Sequence, residues 1–355
     1  MHHGEPANPG DAPRRTLLTG GAGFIGSHLA ERLLDRGDRV TVVDDLSTGR
    51  RDNLPPEHAR LTFIHADLSQ ALRAFSAASR GGVETFDEVY HLAAAVGVGL
   101  VMRDPVAAIE TNVGQTGELL RFAAAQGERT GVPTPVLIAS SSEVYGKPDR
   151  ERFGEDDDVV YGPTTVARWS YAASKALDEH LALGHHARGH VRAVVARLFN
   201  TVGPRQVGSY GMVLPRFVSA ALRGEALRVF GDGSQSRCFC DVRDVAGALP
   251  RLLGQPEASG RVFNLGHDEP ITIRALADLV IAVLGSRSSV ELVPYERAYP
   301  AGFEDLHRRR PDLSRIRSAI GFSAARTLET TIRDLADDLL ARPERDGTPS
   351  LMGTT

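Results

Sequence analysis

The sequence is poor in the residues that hold small disulfide-rich or metal-binding proteins together. Only 2 of its 355 residues are cysteine, Cys238 and Cys240. They lie two positions apart in a probable strand, a poor geometry for pairing with each other, so we expect free thiols without a metal or redox duty. His185, His186 and His190 have no cysteine or carboxylate partners at metal-ligand spacing. We therefore expect no metal site.

Long hydrophobic runs and a dominant charge are also missing. No stretch approaches the roughly 20 apolar residues of a membrane span, and residues 1–13 lack the apolar centre of a signal peptide. The 41 lysines and arginines nearly balance the 45 acidic residues, which argues against a nucleic-acid partner. We expect a soluble, cytosolic protein without a membrane or nucleic-acid partner, with disordered tails at 1–13 and 343–355.

What the chain does contain is a regular alternation of apolar, strand-like runs with helical stretches. That alternation is typical of an α/β fold, here a Rossmann-type doubly wound parallel sheet with helices on both faces. The predicted strands are Thr16 to Thr19, Val40 to Val43, Thr62 to His65, Glu88 to Leu92, Val136 to Ser140 and Ala193 to Leu198.

The length of the chain and a change of pattern after Gly203 predict a second, smaller C-terminal lobe. Single cores usually give way to two lobes beyond about 250 to 300 residues. We expect a nucleotide-binding domain over 14–203, to which 233–268 returns. The smaller lobe would comprise 204–232 and 269–342.

A glycine-rich turn follows the first predicted strand. Gly20, Gly23 and Gly26, with Phe24 and Ile25 between them, lead directly into a helix. A tight turn, close approach of backbone to a pyrophosphate and a positive helix end all require this arrangement. Glycines at such spacing can also make an ordinary loop, but the flanking strand and helix favour a dinucleotide site.

Two aspartates follow later strands on the same side of the sheet. Asp44 can accept hydrogen bonds from a ribose diol, which favours NAD over NADP. It could instead cap a helix or a turn, and Arg50 and Arg51 could in principle bind a 2′-phosphate. Asp67, with Leu68, is a candidate contact for the adenine side, although Asp67 could equally be an ordinary turn residue.

A second group of polar residues is expected at the carboxyl edge of the sheet. Tyr171 and Lys175, four apart in a helical stretch, share one face. An adjacent ammonium and the nicotinamide charge favour a phenolate, so Tyr171 could act as a base, and Lys175 could also hold the cofactor ribose. Ser141, after the fifth strand, could bond a reacting hydroxyl. His91 ends a strand nearby, where we expect a structural role.

These features, with the run Ser140 to Gly146 and the run Arg197 to Arg205, resemble the extended short-chain dehydrogenases/reductases that act on nucleotide sugars. The resemblance spans residues 15 to about 340. Three further stretches resemble the UDP-glucuronic acid decarboxylases, or UDP-xylose synthases, and particularly the decarboxylase domain of the bacterial polymyxin-resistance enzyme. They are Gly162 to Tyr171, Gly233 to Phe239 and Gly302 to Pro311.

The resemblance implies NAD as cofactor, a UDP-sugar as substrate and decarboxylation through a 4-keto sugar to UDP-xylose, UDP-4-keto-xylose or both. The implied catalytic residues are Ser141, Glu143, Tyr171, Lys175 and Arg309. The implied substrate contacts are Arg168, Asn200, Arg205, Arg237 and Arg309. Arg168 could instead pin the preceding loop, and Glu143 could be a solvated loop residue. The stretches Asp104 to Gln126 and Tyr171 to Ala187 are where the family pairs into homodimers.

Other chemistries remain open on the same scaffold. Many 4,6-dehydratases carry an aspartic acid where Ser142 stands, and serine cannot protonate a departing hydroxyl as that acid does. Some dehydratases do have serine followed by glutamate. A 4-epimerase has no evident use for Glu143. A non-catalytic binding protein would not need Ser141, Tyr171 and Lys175 together.

Overall fold

A seven-stranded parallel sheet forms the centre of the molecule, which we describe from a computed structural model covering residues 13–79, 85–95, 104–208, 212–298 and 309–342. Its strand order is β11-β6-β5-β4-β1-β2-β3. The strands are β1 (Arg15–Thr19), β2 (Arg39–Asp44), β3 (Leu61–His65), β4 (Glu88–His91), β5 (Thr134–Ser141), β6 (Val191–Leu198) and β11 (Arg261–Leu265). The predicted doubly wound sheet is confirmed, including all six predicted strands.

Helices cover both faces of this sheet, because its strands are apolar on both sides. Helices α1, α6 and α9 pack on one face with a core that includes Leu29, Leu249 and Ile316. On the other face α2, α3 and α4 bury residues such as Leu119 and Ala182. These helices are α1 (Phe24–Asp35), α2 (Leu68–Ser79), α3 (Pro105–Thr130), α4 (Arg168–Ala187), α6 (Val242–Leu253) and α9 (Ser314–Ile320).

A separate core lies beside the sheet. It includes Phe217, Leu276 and Leu335, one from each of three helices. These are α5 (Val213–Arg223), α7 (Ile273–Leu284) and α10 (Leu328–Ala341), next to the paired strands β8 (Leu227–Phe230) and β13 (Val290–Val293). The other strands and α-helix of the described residues are short: β7 (Thr201–Val202), β9 (Ser236–Arg237), β10 (Cys240–Asp241), β12 (Ile271–Thr272) and α8 (Tyr295–Ala298); a 3-10 helix, Ser142–Tyr145, follows β5.

The strand order changes direction between β1 and β4, and the crevice outside the carboxyl ends of strands at such a point is where ligands bind in open α/β sheets. The glycine turn follows β1, His91 ends β4 and Ser141 ends β5. The fold therefore places the candidate residues at one edge. None of the helices in the described ranges is long and apolar enough to cross a membrane.

Candidate active site

The glycine turn is built around two positions that tolerate no side chain. Gly20 has a φ of +69°, in the left-handed region, and a Cβ there would lie 2.6 Å from the Ala93 nitrogen. A Cβ on Gly26 would lie 2.1 Å from the Gly20 carbonyl oxygen. The start of α1 consequently packs directly against the turn. Gly23 precedes the helix without a side chain to cap it, so the first N–H groups of α1 are left for an anion.

Asp44 is buried at the end of β2, beside this turn. Its carboxylate accepts hydrogen bonds from the backbone nitrogens of Ala22 and Leu46, both at 2.9 Å. Burial raises the pKa of Asp44 above its usual value, while these two bonds oppose that shift. A carboxylate has about four acceptor sites. Asp44 therefore holds the glycine turn in place and retains capacity for a ribose diol.

The two arginines that could have bound a 2′-phosphate have other partners. The Arg51 guanidinium donates to the carbonyl oxygens of Pro55 and Pro56, each at 3.0 Å. The Nε of Arg50 donates to Asp52 at 3.1 Å. These contacts agree with the preference for NAD over NADP.

Asp67 has a structural duty at the start of α2. Its carboxylate accepts from the Ser69 nitrogen at 2.9 Å and from the Gln115 side chain at 3.2 Å. Leu68 is buried in the sheet core. Asp67 thus acts as a turn residue, as the alternative interpretation expected. A contact of Asp67 or Leu68 with adenine stays a prediction.

Tyr171 lies in the first turn of α4, beside Ser141 at the end of β5. Burial raises the pKa of Tyr171 above its ordinary value, and the negative charge of Glu143 raises it further. A hydrogen bond with Ser141 and the charge of Arg309 lower it. Without a bound cofactor, Tyr171 is therefore a protonated phenol at neutral pH. The cationic nicotinamide must supply part of the field that makes it a base.

Lys175, one turn after Tyr171, is buried, with 3% of the residue exposed. Its ammonium donates to Asp178 at 3.0 Å, and Asp178 is fully buried. Burial raises the pKa of Asp178, while Lys175 and the Thr116 hydroxyl favour its charged form. Asp178 was not among the residues predicted from the sequence. The Lys-x-x-Asp spacing on a helix was the available signal.

Two further buried residues connect the strand ends, α3 and α4. His91 is held between the hydroxyls of Thr19, at 2.8 Å, and Thr116, at 3.1 Å. Burial and the nearby Lys175 lower the pKa of His91 to about 3, so the ring is neutral. Asn112 on α3 donates to the Ser174 hydroxyl at 3.2 Å. The two hydroxyl contacts of His91 support a structural role, which stays a prediction.

Glu143 is clamped by two arginines. Arg309 Nη1 lies 2.7 Å from Glu143 Oε1, and Arg168 Nη2 lies 3.5 Å from Oε2. Burial alone would raise the pKa of Glu143, but Arg309 and Arg168 hold it below the usual value. Glu143 is accordingly held as an ion-paired carboxylate and is not a solvated loop residue. The site can bind a second anion only by sharing these arginines.

Arg309 reaches Glu143 because the chain around it is tied to another loop. The Phe153 nitrogen donates to the Arg310 carbonyl and the Asp312 nitrogen to the Phe153 carbonyl, both at 2.9 Å. The Asn264 side chain, at the end of β11, also donates to the Phe153 carbonyl. Arg309 is 7% exposed, and its Nε is buried without a hydrogen-bond partner among the described residues. An N–H donor in that state is suited to an anionic ligand.

The remaining sequence-predicted contacts do not all converge. The charge of Arg237 acts on Glu143, so Arg237 belongs to the same neighbourhood. Asn200 donates to the Cys238 carbonyl at 3.4 Å. Arg205 has other partners: its guanidinium pairs with Glu31 on α1 and its backbone nitrogen donates to Asp338. The described contacts thus give Arg205 a role in joining α1 to α10.

The structure also bears on the predictions about free thiols and metal sites. Cys238 and Cys240 are both free and buried, and burial raises the pKa of Cys238 to about 12, which makes it an unreactive thiol. His190 pairs with Glu128 at 3.0 Å, a partner remote in sequence. Across the described residues, no group of three or more potential ligands is placed to hold a metal. Residues 302–308, part of the stretch Gly302 to Pro311 that resembles the decarboxylases, lie outside the described residues.

The fold and the site together indicate an enzyme that uses a dinucleotide cofactor. A helix N-terminus and a strand-end carboxylate are arranged for a dinucleotide, and a tyrosine is placed to move a proton beside it. The chain belongs to the NAD-dependent epimerase/dehydratase family, whose model matches residues 16–266. Its cofactor is NAD, which the glycine turn and Asp44 fit.

Individual relatives have names that are more specific than the name of the family. The chain is 38% identical to UDP-N-acetyl-alpha-D-glucosaminuronate decarboxylase of Bacillus cytotoxicus, over 87% of this chain and 92% of the relative. It is 33% identical to UDP-glucuronic acid decarboxylase 2 of Arabidopsis thaliana, over 96% of this chain and 72% of the relative. Among solved structures, the Thermus thermophilus UDP-glucose 4-epimerase complex with NAD is similar, with 30% identity, a TM-score of 0.76 and coverage of 92% and 99% of the two chains.

Proposed function

We propose that this protein is an NAD-dependent decarboxylase of a UDP-linked uronic acid, with UDP-glucuronic acid as the first candidate substrate. The observation that carries the proposal is the Arg309–Glu143–Arg168 cluster beside Tyr171 and Ser141. A site for neutral sugars has no need of two buried arginines next to the base. A carboxylate on the substrate would explain why two arginines are buried there.

The first step assigned to the site is oxidation at C4 of the sugar. NAD, when bound, accepts the hydride from C4 and can later return it. Tyr171, as phenolate, removes the proton of the 4-hydroxyl, and Ser141 hydrogen-bonds the tyrosine or the sugar oxygen. Lys175 holds the ribose and adds positive charge near the phenolate. The product is a 4-ketone in which the C6 carboxylate is beta to the carbonyl.

The second step is loss of carbon dioxide. The C5–C6 bond breaks, its electron pair forms the enolate of the C4 ketone, and a proton then adds to C5. Arg309 binds the carboxylate and afterwards the enolate oxygen as a fixed cation. Glu143 fixes the guanidinium of Arg309 and repels the substrate carboxylate, which favours its departure as neutral carbon dioxide. The proton for C5 comes from water beside Arg309, because Tyr171 keeps the proton of the 4-hydroxyl for the later reduction of the ketone.

The other sequence-predicted contacts enter as parts of this proposal. The glycines of the turn, with Phe24 and Ile25, would hold the cofactor diphosphate, and Asp44, Asp67 and Leu68 its adenosine half. Arg168 and Arg237, both near Glu143, would contact the sugar acid or the UDP diphosphate. Asn200 would bind the same edge. The contacts of Arg205 give the least support to a direct substrate role.

A closely related second candidate is UDP-N-acetylglucosaminuronic acid. The 38% identical relative is named for that activity, whereas the relatives named for UDP-glucuronic acid show 31 to 35% identity. Both substrates carry the carboxylate that the arginine cluster addresses. They differ at C2, so comparing kcat/KM for the two decides between them.

Epimerase and dehydratase activities are less well supported. Solved structures similar to this one include 4-epimerases, but simple epimerisation does not explain why Glu143 and Arg309 meet. Ser142 is buried and lacks the acidic group that a 4,6-dehydratase uses on the 6-hydroxyl. A non-catalytic binding protein would not require Tyr171 next to Ser141.

A homodimer, a cytosolic location and the division into lobes remain predictions. The helices α3 and α4 pack together and expose Val106, Ile109 and Leu177, apolar residues that a second copy could cover. Two separate cores support a nucleotide-binding domain and a smaller lobe, but α9, which the predicted bounds 269–342 place in the lobe, packs on the sheet.

Two substitutions test the order of the steps. Tyr171→Phe removes the base and should abolish formation of both NADH and carbon dioxide. Glu143→Gln should slow carbon dioxide release at least tenfold while the dissociation constant of NAD+ changes less than twofold. Glu151→Gln, at an exposed glutamate that pairs with Arg310, is the matched control. Near-wild-type turnover in both Tyr171→Phe and Glu143→Gln would contradict the mechanism.

A further inference from the structure

The ion pair between Lys175 and Asp178 is the feature that the proposed reaction leaves unexplained. Both residues are buried, the ammonium and carboxylate are 3.0 Å apart, and each exposes 3% of its side chain or less. Holding the Lys175 side chain in place would not require a full negative charge, because a hydroxyl or amide oxygen can accept from an ammonium. A buried carboxylate is costly to desolvate, so its charge calls for a reason.

The neighbourhood shows how tightly that charge is held. Lys175 is its cationic partner, the Thr116 hydroxyl favours the charged form, and the next residue, Glu179, opposes it. Glu179 is itself neutralised by Arg197 through two bonds of 2.9 and 2.7 Å. Behind Thr116 the His91 ring is neutral. The Lys175–Asp178 pair is therefore neutral overall, and the groups packed around it add no net charge.

NAD+ carries a positive charge on its nicotinamide ring and NADH does not. Lys175, which the reaction places at the nicotinamide ribose, would by itself disfavour the oxidised cofactor. We propose that Asp178 is a positioning residue that balances the charge of Lys175, so that the site accepts NAD+ as readily as NADH. The inference concerns cofactor redox state and rests on the proposed function only for its consequence on product.

Removing the negative charge of Asp178 should change the affinities for NAD+ and NADH in a predictable direction. In Asp178→Asn the pair becomes a net cation, so the dissociation constant of NAD+ should increase more than that of NADH. One unit charge roughly 10 Å away gives about a twofold effect at the dielectric constant of water and about 15-fold at an effective value of 20. We expect the ratio of the two constants, NAD+ over NADH, to rise by a factor in this range.

A second consequence follows if the protein is a decarboxylase. A site that disfavours NAD+ makes oxidation of C4 easier and return of the hydride to the ketone harder. Asp178→Asn should then release a larger fraction of the 4-keto product, which is two mass units lighter than the reduced sugar. The two electrons of the C4 hydride then remain on the cofactor as NADH, and the added NAD+ must replace that NADH before the next turnover.

The experiment measures NAD+ and NADH binding by calorimetry, without sugar, for wild type, three variants of Asp178 and one control variant. Asp178→Glu restores the charge and should return the ratio toward that of the wild type, whereas Asp178→Ser is a second neutral variant if Asp178→Asn does not fold. The matched control is Asp38→Asn, a buried aspartate that pairs with Arg36 at the opposite, amino-terminal edge of the sheet. It should destabilise the protein without changing the ratio.

Equal weakening of NAD+ and NADH in the neutral variants would show that Asp178 is merely structural and would overturn the proposal. An unchanged or lowered ratio would do the same. The binding ratio involves no sugar, so it holds or fails independently of decarboxylase activity. Absence of any turnover by the wild type would count against the proposed function alone.

Discussion

Replacing Arg309 by glutamine perturbs the residue on which decarboxylation depends most. The change removes a charged hydrogen bond of 2.7 Å to Glu143 and, in the proposed complex, the cation that meets the substrate carboxylate. Hydrogen bonds to charged groups contribute about 1.5–3 kcal/mol. Loss of about 3 kcal/mol of transition-state binding lowers kcat/KM for UDP-glucuronic acid about 150-fold.

The same substitution has a calculable effect on stability. Breaking a buried ion pair costs about 3–5 kcal/mol, and Arg168 remains 3.5 Å from Glu143, so we expect the lower end. For a chain of 355 residues, an unfolding entropy of about 2.1 cal/mol/K per residue converts about 3 kcal/mol to a fall in Tm of about 4 °C. That loss leaves the protein folded in the assay.

The assay follows carbon dioxide release at several substrate concentrations, with NAD+ binding measured separately. Arg310→Gln is the matched control, because Arg310 is the adjacent arginine and pairs with the exposed Glu151. It should retain kcat/KM within about threefold. An Arg309→Gln enzyme with wild-type kcat/KM would refute the reasoning, and so would a loss explained entirely by weaker NAD+ binding.

Three further predictions address the base, the cofactor turn and the dimer. Ser141→Ala removes a hydrogen bond that lowers the pKa of Tyr171, so the acid limb of the pH–rate profile should move to higher pH; Ser141→Thr should keep its position. Gly26→Ala should raise the NAD+ dissociation constant at least tenfold, because the added Cβ meets the glycine turn at 2.1 Å, whereas Gly247→Ala, with open space around it, should not. By light scattering we expect a dimeric wild type and a monomeric Leu177→Glu variant; a dimeric variant would place the interface elsewhere, and a monomeric wild type would contradict the predicted dimer.

Much of the fold was predictable because its signals are local. Buried parallel strands such as Val136 to Ser140 are continuous apolar runs, and a glycine turn between a strand and a helix has few other uses. The Tyr171–Lys175 pair was readable because helical spacing places the two on one face. In each case neighbouring residues alone determine the outcome.

What the sequence did not reveal depends on distant contacts. The predicted diphosphate contact of Arg205 stays a prediction, but its pairing with Glu31, 174 positions away, could not be read from the sequence. Glu143 could have been a loop residue, and only the approach of Arg309 makes it a clamped carboxylate. Asp178 had a spacing signal, but its full burial beside Lys175 required the packing of α3 against α4.

The most direct test of the central claim is to incubate the purified protein with UDP-glucuronic acid and NAD+ and to record carbon dioxide release and the mass of the nucleotide sugar. Decarboxylation predicts a product 44 mass units lighter, or 46 when the ketone escapes reduction; those differences follow from loss of carbon dioxide and of two hydrogens. The same loss from UDP-N-acetylglucosaminuronic acid alone would keep the mechanism and change the substrate. An unchanged mass with both sugars, accompanied by their 4-epimers, would contradict the account.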